Sequence, residues 1–364
     1  MNLLRQAMLV GGIVLVALPL AWAFLPRATV PVAVAQPVVV APVGKRIALS
    51  FDDVPRGAGA FYTPSERTAR LIAALRASGV EQAAFFANPG RIGASNDGAA
   101  RLAAYAAAGH VVGDHSFAHR DLRAVSAQAF LADIDRAEGW LKGKPGYRPW
   151  FRFPGLNQGG RDAVKRRAVL DGLGARGLSV AWVTADGSDW NIERQTIAAR
   201  KAGQAIDEGA LRDLYVETMV QSADFSDALL RRVTGRSPPQ MLLLHETDVA
   251  ARYIGDLVAA LRRDGWTIVT ADAAYADPLY RQTGDFDSAN GTLPEAIGWQ
   301  QRAPGPLYYA RNDKPLADRL FAERVLHRTP IATPRCRVQR HPWRRVCSQT
   351  AFVPRRPLPL GIAA

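Results

Sequence analysis

At 364 residues, 48% of them hydrophobic, the chain can bury one large core. Single α/β barrels reach about 250 residues, so one catalytic-sized domain with end segments is expected. A formal net charge of +13 points to an anionic partner such as phospholipid headgroups or envelope polymers. No recognisable module interleaves aromatics with that charge, so no nucleic acid is expected. The only cysteines, Cys336 and Cys347, lie in the C-terminal stretch, which excludes a cysteine nucleophile at a site built elsewhere. In an oxidising compartment they are expected to pair, two free thiols being the alternative.

Residues 1–25 carry Arg5 and then an apolar run from Met8 to Leu25, which reads as a signal peptide or membrane anchor. The remainder is therefore expected outside the cytoplasm: periplasmic, anchored in the inner membrane and facing the periplasm, or secreted. Residues 26–44 alternate Pro, Val and Ala, the composition of an extended linker. Short β-rich runs then recur at 46–51, 83–88, 111–115, 150–154, 179–184, 241–245 and 267–270. Helix-like stretches alternate with them. Residues 65–77 place Leu71, Ile72 and Leu75 on one face, and 248–263 do the same with Ile254, Leu257, Val258 and Leu261. Gly79, Gly109 and Gly265 stand where helix C-caps belong.

This alternation predicts an α/β fold, a closed or nearly closed (β/α) barrel of about seven strands spanning 45–278, with an open doubly wound sheet as the alternative. The long stretch 192–239 predicts extra helices around the rim. Periodicity fades after about Leu279, and 279–364 reads as a basic, Pro/Arg-rich extension, largely solvated beyond Arg311. Cutting the chain after about Asn312 should then spare turnover on soluble substrate and weaken retention on anionic envelope material.

In parallel α/β folds chemistry sits at the C-terminal ends of the strands. The first run leads into Asp52 and Asp53; consecutive strand residues point to opposite sides, so both carboxylates can serve one site only where the strand breaks, as Pro55 suggests. The third ends in His115 and His119, four residues apart, which on a helical turn share a face and can bind one ion. Two His and one carboxylate make a catalytic metal set. Ser116 after His115 leaves no Glu base within the pair, which excludes the zinc-peptidase pattern. Arg152, Asp189 and His245 close three further runs on the same rim, and a buried Arg152 would require a carboxylate partner.

With these residues the chain from about Lys45 to Pro278 resembles the NodB-homology polysaccharide deacetylases of carbohydrate esterase family four. Five motifs occur in family order: Ser50-Phe-Asp52-Asp53, His115-Ser-Phe-Ala-His119, Arg152-Phe-Pro154, Asp186-Gly-Ser-Asp189-Trp190 and Met241-Leu-Leu243-Leu-His245. The resemblance implies a distorted barrel and an acetylated glycan substrate. It implies a divalent metal, zinc or a related ion, held by Asp53, His115 and His119. By the same resemblance Asp52 is the general base, held by Arg152, and His245 the general acid, tuned by Asp189. Trp190 and Leu243 would wall the acetyl pocket, Pro154 and Gly155 would line the substrate side, and the Gly155 N–H would receive the oxyanion. Val54, Gly155 and Glu246 depart from the family's usual Gly, aromatic and Asp, which suggests a subgroup with an altered groove.

Other readings weigh against this one. A non-haem iron oxygenase also uses two His and a carboxylate, but leaves Arg152, Asp189 and His245 without roles. A catalytically inactive carbohydrate-binding homologue has no use for a base and an acid flanking a metal. An O-acetyl sugar esterase or another amidase on the same site is the serious competitor.

Overall fold

A computed structural model describes residues 44–94, 97–281, 286 and 289–328. The expected anchor, nearly all of the linker, the cysteine pair and the last part of the basic extension lie outside the described residues. Among the described residues no helix is long and apolar enough to cross a membrane.

The chain alternates as its apolar pattern requires. Strand β1 (Arg46–Val54) leads to α1 (Pro64–Ala77), β2 (Ala84–Ala87), α2 (Gly98–Ala107), β3 (Val111–Asp114), α3 (Ala127–Leu141) and β4 (Tyr147–Phe151). A short β5 (Asn157–Gly160) and α4 (Ala163–Ala175) precede β6 (Ser179–Val180) and β7 (Ala185–Asp186). Helices α5 (Asp189–Lys201) and α6 (Glu208–Thr234) follow, then β8 (Gln240–His245), α7 (Asp248–Arg263), β9 (Thr267–Ile268) and α8 (Ala271–Tyr275). The described chain closes with β10 (Ala289–Asn290), α9 (Leu293–Gln300) and α10 (Lys314–Arg324).

Seven strands form one parallel path, β6-β4-β3-β2-β1-β8-β7, with β9 branching from β1, while β5 and β10 make a separate antiparallel pair. The architecture is a half-barrel of α/β type, the distorted form of the expected barrel. The run read as one strand at 179–184 belongs to both ends of the path: the Ala181 N–H donates to Phe151 O and the Thr184 N–H to Met241 O, so one extended segment crosses from β4 to β8. Helix boundaries follow local chemistry. Thr63 and Glu66 form a capping box at the start of α1 with Pro64 at its first position, and Gly79, Gly109 and Gly265 take positive φ just past α1, α2 and α7.

Alternation along β1 divides the core. Ile47, Leu49 and Phe51 pack with Leu71 and Leu75 of α1 and with Ile254, Leu257, Val258 and Leu261 of α7, all of them buried. Burying each such side chain stabilises the fold by about 1.5–3 kcal/mol. Ala48 faces the other side, with Phe86, Met241 and Leu230 of α6. Ser50 and Asp52 share that parity with Ala48, which is why a serine hydroxyl and a carboxylate can sit inside the barrel. The parallel register pairs Asp52 with His245 across β1 and β8.

The region read as rim decoration and extension is more integral than its sequence suggests. Helix α6 buries twelve side chains along 27 residues and packs on α7 and β7. Beyond Pro278 the chain keeps packing: Leu293 and Ile297 of α9 join the second cluster, and Phe321 of α10 and the adjacent Val325 are buried in the first. The stretch from Arg311 is therefore not a solvated tail as far as residue 328.

Candidate active site

Asp53 reaches the same site as Asp52 through a local backbone reversal. The register of β1 against β2 shifts between Phe51 and Val54, and Asp53 takes φ +69, a left-handed conformation that non-glycine residues adopt infrequently. The bulge, rather than the turn at Pro55, puts both carboxylates on one side.

The histidine pair is held differently from the expected helical turn. Residues 115–121 form an irregular loop in which Ser116 and His119 have positive φ. Asn88 donates its side-chain amide to the carbonyls of His115 and Ser116; Asp114 accepts from the Ser116 N–H at 2.6 Å and Asp133 from the Ala118 N–H at 2.9 Å. These bonds replace helical ones and bring the two imidazoles to a centroid distance of 5.0 Å.

One ligand atom from each of Asp53, His115 and His119 lies within 4.8 Å of the others. Asp53 Oδ1 is 3.1 Å from His119 Nε2 and 3.8 Å from His115 Nε2. His115 Nδ1 is paired with the Arg152 carbonyl at 2.9 Å, so Nε2 carries the free lone pair that a metal requires. Burial pulls the His115 imidazole down to about 4, despite the nearby Asp52 carboxylate, and keeps it neutral. Burial likewise lowers His119. Asp53 Oδ1 is buried and accepts no hydrogen bond. Two soft imidazole nitrogens and one orphaned carboxylate oxygen are a donor set that fits zinc or a related divalent ion. Burial pushes the Asp53 carboxyl up, but the positive charges of His245 and Arg91 outweigh it and hold the group below its ordinary range.

Asp52 and His245 flank this set. Asp52 is 2% exposed and accepts from Arg152 Nη1 at 2.7 Å; its other oxygen lies 3.6 Å from His115 Nε2. Arg152, itself buried, also donates to Ser50 Oγ, the Ala181 carbonyl and Tyr275 Oη, and lies 3.8 Å over the Phe86 ring. The predicted carboxylate partner is present. His245 donates its backbone N–H to Asp189 Oδ2 at 2.8 Å, and its Nδ1 pairs with Asp189 Oδ1 at 2.7 Å, which leaves Nε2 for the cavity. Burial lowers the imidazole, yet the Asp189 carboxylate overrides it and holds the group up at about 9.

Asp52, Asp53, His115, His119, Trp190, Leu243, His245 and Gly155 line one cavity of about 440 Å³. Gly155 adopts φ +59, which suits glycine. Pro154 is buried and does not line that cavity; it opens the short turn that presents Gly155. The sequence reading assigned no role to Asn88, Arg56, Arg91 or Asp186. Arg56 donates to Asp53 Oδ2 at 2.7 Å, Arg91 lies 3.3 Å from Asp53 Oδ1, and Asp186 lines the cavity, raised to about 6 chiefly by burial. Each stands at a strand end or a few residues beyond one, which was the available signal.

Residues 40–173 match the family model described as polysaccharide deacetylase. Over that stretch the chain is similar to the polysaccharide deacetylases. Solved structures that resemble this chain include a family 4 carbohydrate esterase from Streptomyces lividans in complex with acetate, 20% identical, covering 63% of this chain and 95% of that one with a TM-score of 0.42. They also include the peptidoglycan deacetylase PdaC from Bacillus subtilis, 21% identical, covering 65% and 93% with a TM-score of 0.41. A CE4 family pseudoenzyme from Bacillus anthracis is 17% identical, covering 64% and 66% with a TM-score of 0.43. No curated protein sequence matches the chain.

Proposed function

We propose that this protein is a metal-dependent hydrolase that removes N-acetyl groups from an envelope or extracellular glycan, releasing acetate and a free amino sugar. The observation that carries the reading is the convergence, in one cavity, of the Asp53, His115 and His119 donor set with an Arg-held carboxylate and an Asp-held imidazole. A divalent cation, zinc by preference, would supply Lewis-acid activation of water and of the acetyl carbonyl.

Every other part is played by the chain. Asp52, fixed by Arg152, takes the proton of the attacking water as its oxygen bonds to the acetyl carbon. The backbone N–H of Gly155 receives the developing oxyanion. His245, with Nδ1 tied to Asp189, donates its Nε2 proton to the amine nitrogen as the C–N bond breaks. Trp190, 39% exposed, and the buried Leu243 wall the acetyl methyl and exclude water from it.

The apolar run at 8–25 supports export and a membrane-proximal setting, and the basic C-terminal stretch supports contact with anionic envelope components. An O-acetyl ester would present the same carbonyl to the same groups, so substrate choice rests on the groove. Asp52→Asn is expected to abolish acetate release while the metal content measured by atomic absorption stays at one ion per chain. Turnover that survives this substitution would remove Asp52 as the base.

A further inference from the structure

The segment leading into α10, which lies outside both the family match at residues 40–173 and the stretch whose motifs resemble the family, holds the loop that carries Asp189. That loop runs from Asp186 to Trp190. Within it Ser188 has φ +53, a conformation that serine adopts only when its surroundings impose it. Asp186 Oδ1 accepts the Ser188 N–H at 2.7 Å, which draws the loop tight from inside. The external hold comes from Asn312: its amide nitrogen donates to the Asp186 carbonyl at 3.0 Å, and its amide oxygen accepts the Ser188 hydroxyl at 2.9 Å. One side chain thus spans the reversed residue with two bonds. Six residues later Asp318 accepts from Asn191 Nδ2 and Arg194 Nη2, both at 3.0 Å, and fastens the start of α5 just beyond Trp190.

We propose that Asn312 is a positioning residue for the proton donor: by bridging Asp186 and Ser188 it fixes the loop that aims Asp189 at His245. This rests on the proposed roles of Asp189 and His245. The geometry is demanding because Asp189 must meet the backbone N–H and Nδ1 of His245 together, at 2.8 and 2.7 Å. Rotation of the loop would spoil one bond or both, and a misplacement of about 1 Å at such a site can cost about a hundredfold in rate. Asn312 touches no reacting atom and is half-buried, so its replacement perturbs the loop without opening the core.

Three full-length variants separate its bonds. Ser188→Ala removes the hydroxyl donor, Asn312→Asp removes the amide donor and keeps an acceptor, and Asn312→Ala removes both. With metal loaded, Asn312→Ala is expected to lower kcat about tenfold with KM within about twofold, and to move the alkaline limb of the pH–rate profile downward. The single-bond variants are expected to fall between it and the unaltered protein. In the Asn312→Ala comparison the titratable groups facing His245 are Asp189, Asp52, Asp53, Asp186 and His119, and none of them is altered.

An NMR titration of the His245 imidazole reads the same displacement without turnover: a lower midpoint in Asn312→Ala is expected. The imidazole titration therefore decides the inference even if the unaltered protein releases no acetate, an outcome that would count against the proposed activity alone. An unmoved His245 midpoint, with kcat falling only in proportion to the unfolded fraction measured by circular dichroism, would overturn the inference and leave Asn312 a structural residue.

Discussion

Replacing Asp189 by Asn should convert the proposed acid from one charged at neutral pH into one that is largely neutral. In the fold Asp189 offers two oxygens to two donors, the backbone N–H and Nδ1–H of His245. Asparagine has a single oxygen for both. Burial opposes the imidazolium and Asp189 supports it, holding the group at about 9 against an ordinary 6.5. That difference is worth about 3 kcal/mol of preference for the charged form. Without the carboxylate, burial is unopposed by its main partner, and the imidazole is expected at 6.5 or below. With the imidazole at 6.5, the protonated fraction at pH 8 would fall from about 0.9 to about 0.03 and kcat/KM about thirtyfold from protonation alone, against less than about twofold at pH 6, and a lower value enlarges both drops. Misorientation adds a factor that does not depend on pH, so the position of the alkaline limb is the diagnostic quantity. Because the folded value lies above the unfolded one, this group's stabilisation is complete below about 6.5 and is lost as pH rises through about 9. The stability gap between the two proteins should narrow over that window in urea titrations. A rate profile between pH 5 and 10 that falls uniformly, with its alkaline limb unmoved, would refute the assignment.

Removing any one of the three ligand atoms, as in Asp53→Ala or His119→Ala, is expected to weaken zinc affinity at least about a hundredfold by isothermal titration, with far-ultraviolet dichroism preserved. Glu246→Gln tests the buried ionic cluster behind the site. Glu246 accepts from Arg101 Nη2 at 2.9 Å, from Tyr105 Oη at 2.8 Å and from the Arg56 N–H at 2.7 Å, and lies 3.7 Å from Arg67. Losing its charge leaves Arg101 without its buried carboxylate partner, while Arg67 keeps Asp248 at 3.1 Å, at an expected cost of about 3 kcal/mol in urea unfolding. A chain ending at Asn312 loses the buried Phe321 and Val325 and should be less stable than the longer protein by about 3–5 kcal/mol or more, with turnover lost in step.

What the sequence made legible follows from how each element is held. Strands β1, β2, β3 and β8 are mostly apolar, buried runs whose functional polar residues gather at or just past their C-terminal ends, so both their positions and the rim of chemistry could be read. Helix α7 announced itself by an apolar stripe that the fold buries without exception among Ile254, Leu257, Val258 and Leu261. The conformations that converge the ligands left no such trace. Positive φ at Asp53, Ser116 and His119 is imposed by contacts distant in sequence, such as the Asn88 amide on the His115 loop, and residue type alone does not encode it. The segment beyond Pro278 was misjudged for a related reason. Helix α10 fully buries one residue of its own, Phe321, with Leu320 partly buried against the same cluster, and docks otherwise through ion pairs and amides, so its apolar face is too short to recognise. The run from Ser179 to Thr184 reads as one strand because its residues are uniformly β-forming, and a bend at Thr184 with a change of partner divides the structure there into β6 and β7.

The central claim is that acetate release depends on a metal at Asp53, His115 and His119. The most direct measurement strips the purified protein with chelator, restores single divalent ions, and follows acetate released from N-acetylated and O-acetylated glycans in parallel. Zinc-restored release from the N-acetylated substrates is the expected result. Release from O-acetylated substrates alone would make the protein a sugar esterase, and no release from either, with one ion bound per chain, would contradict the account.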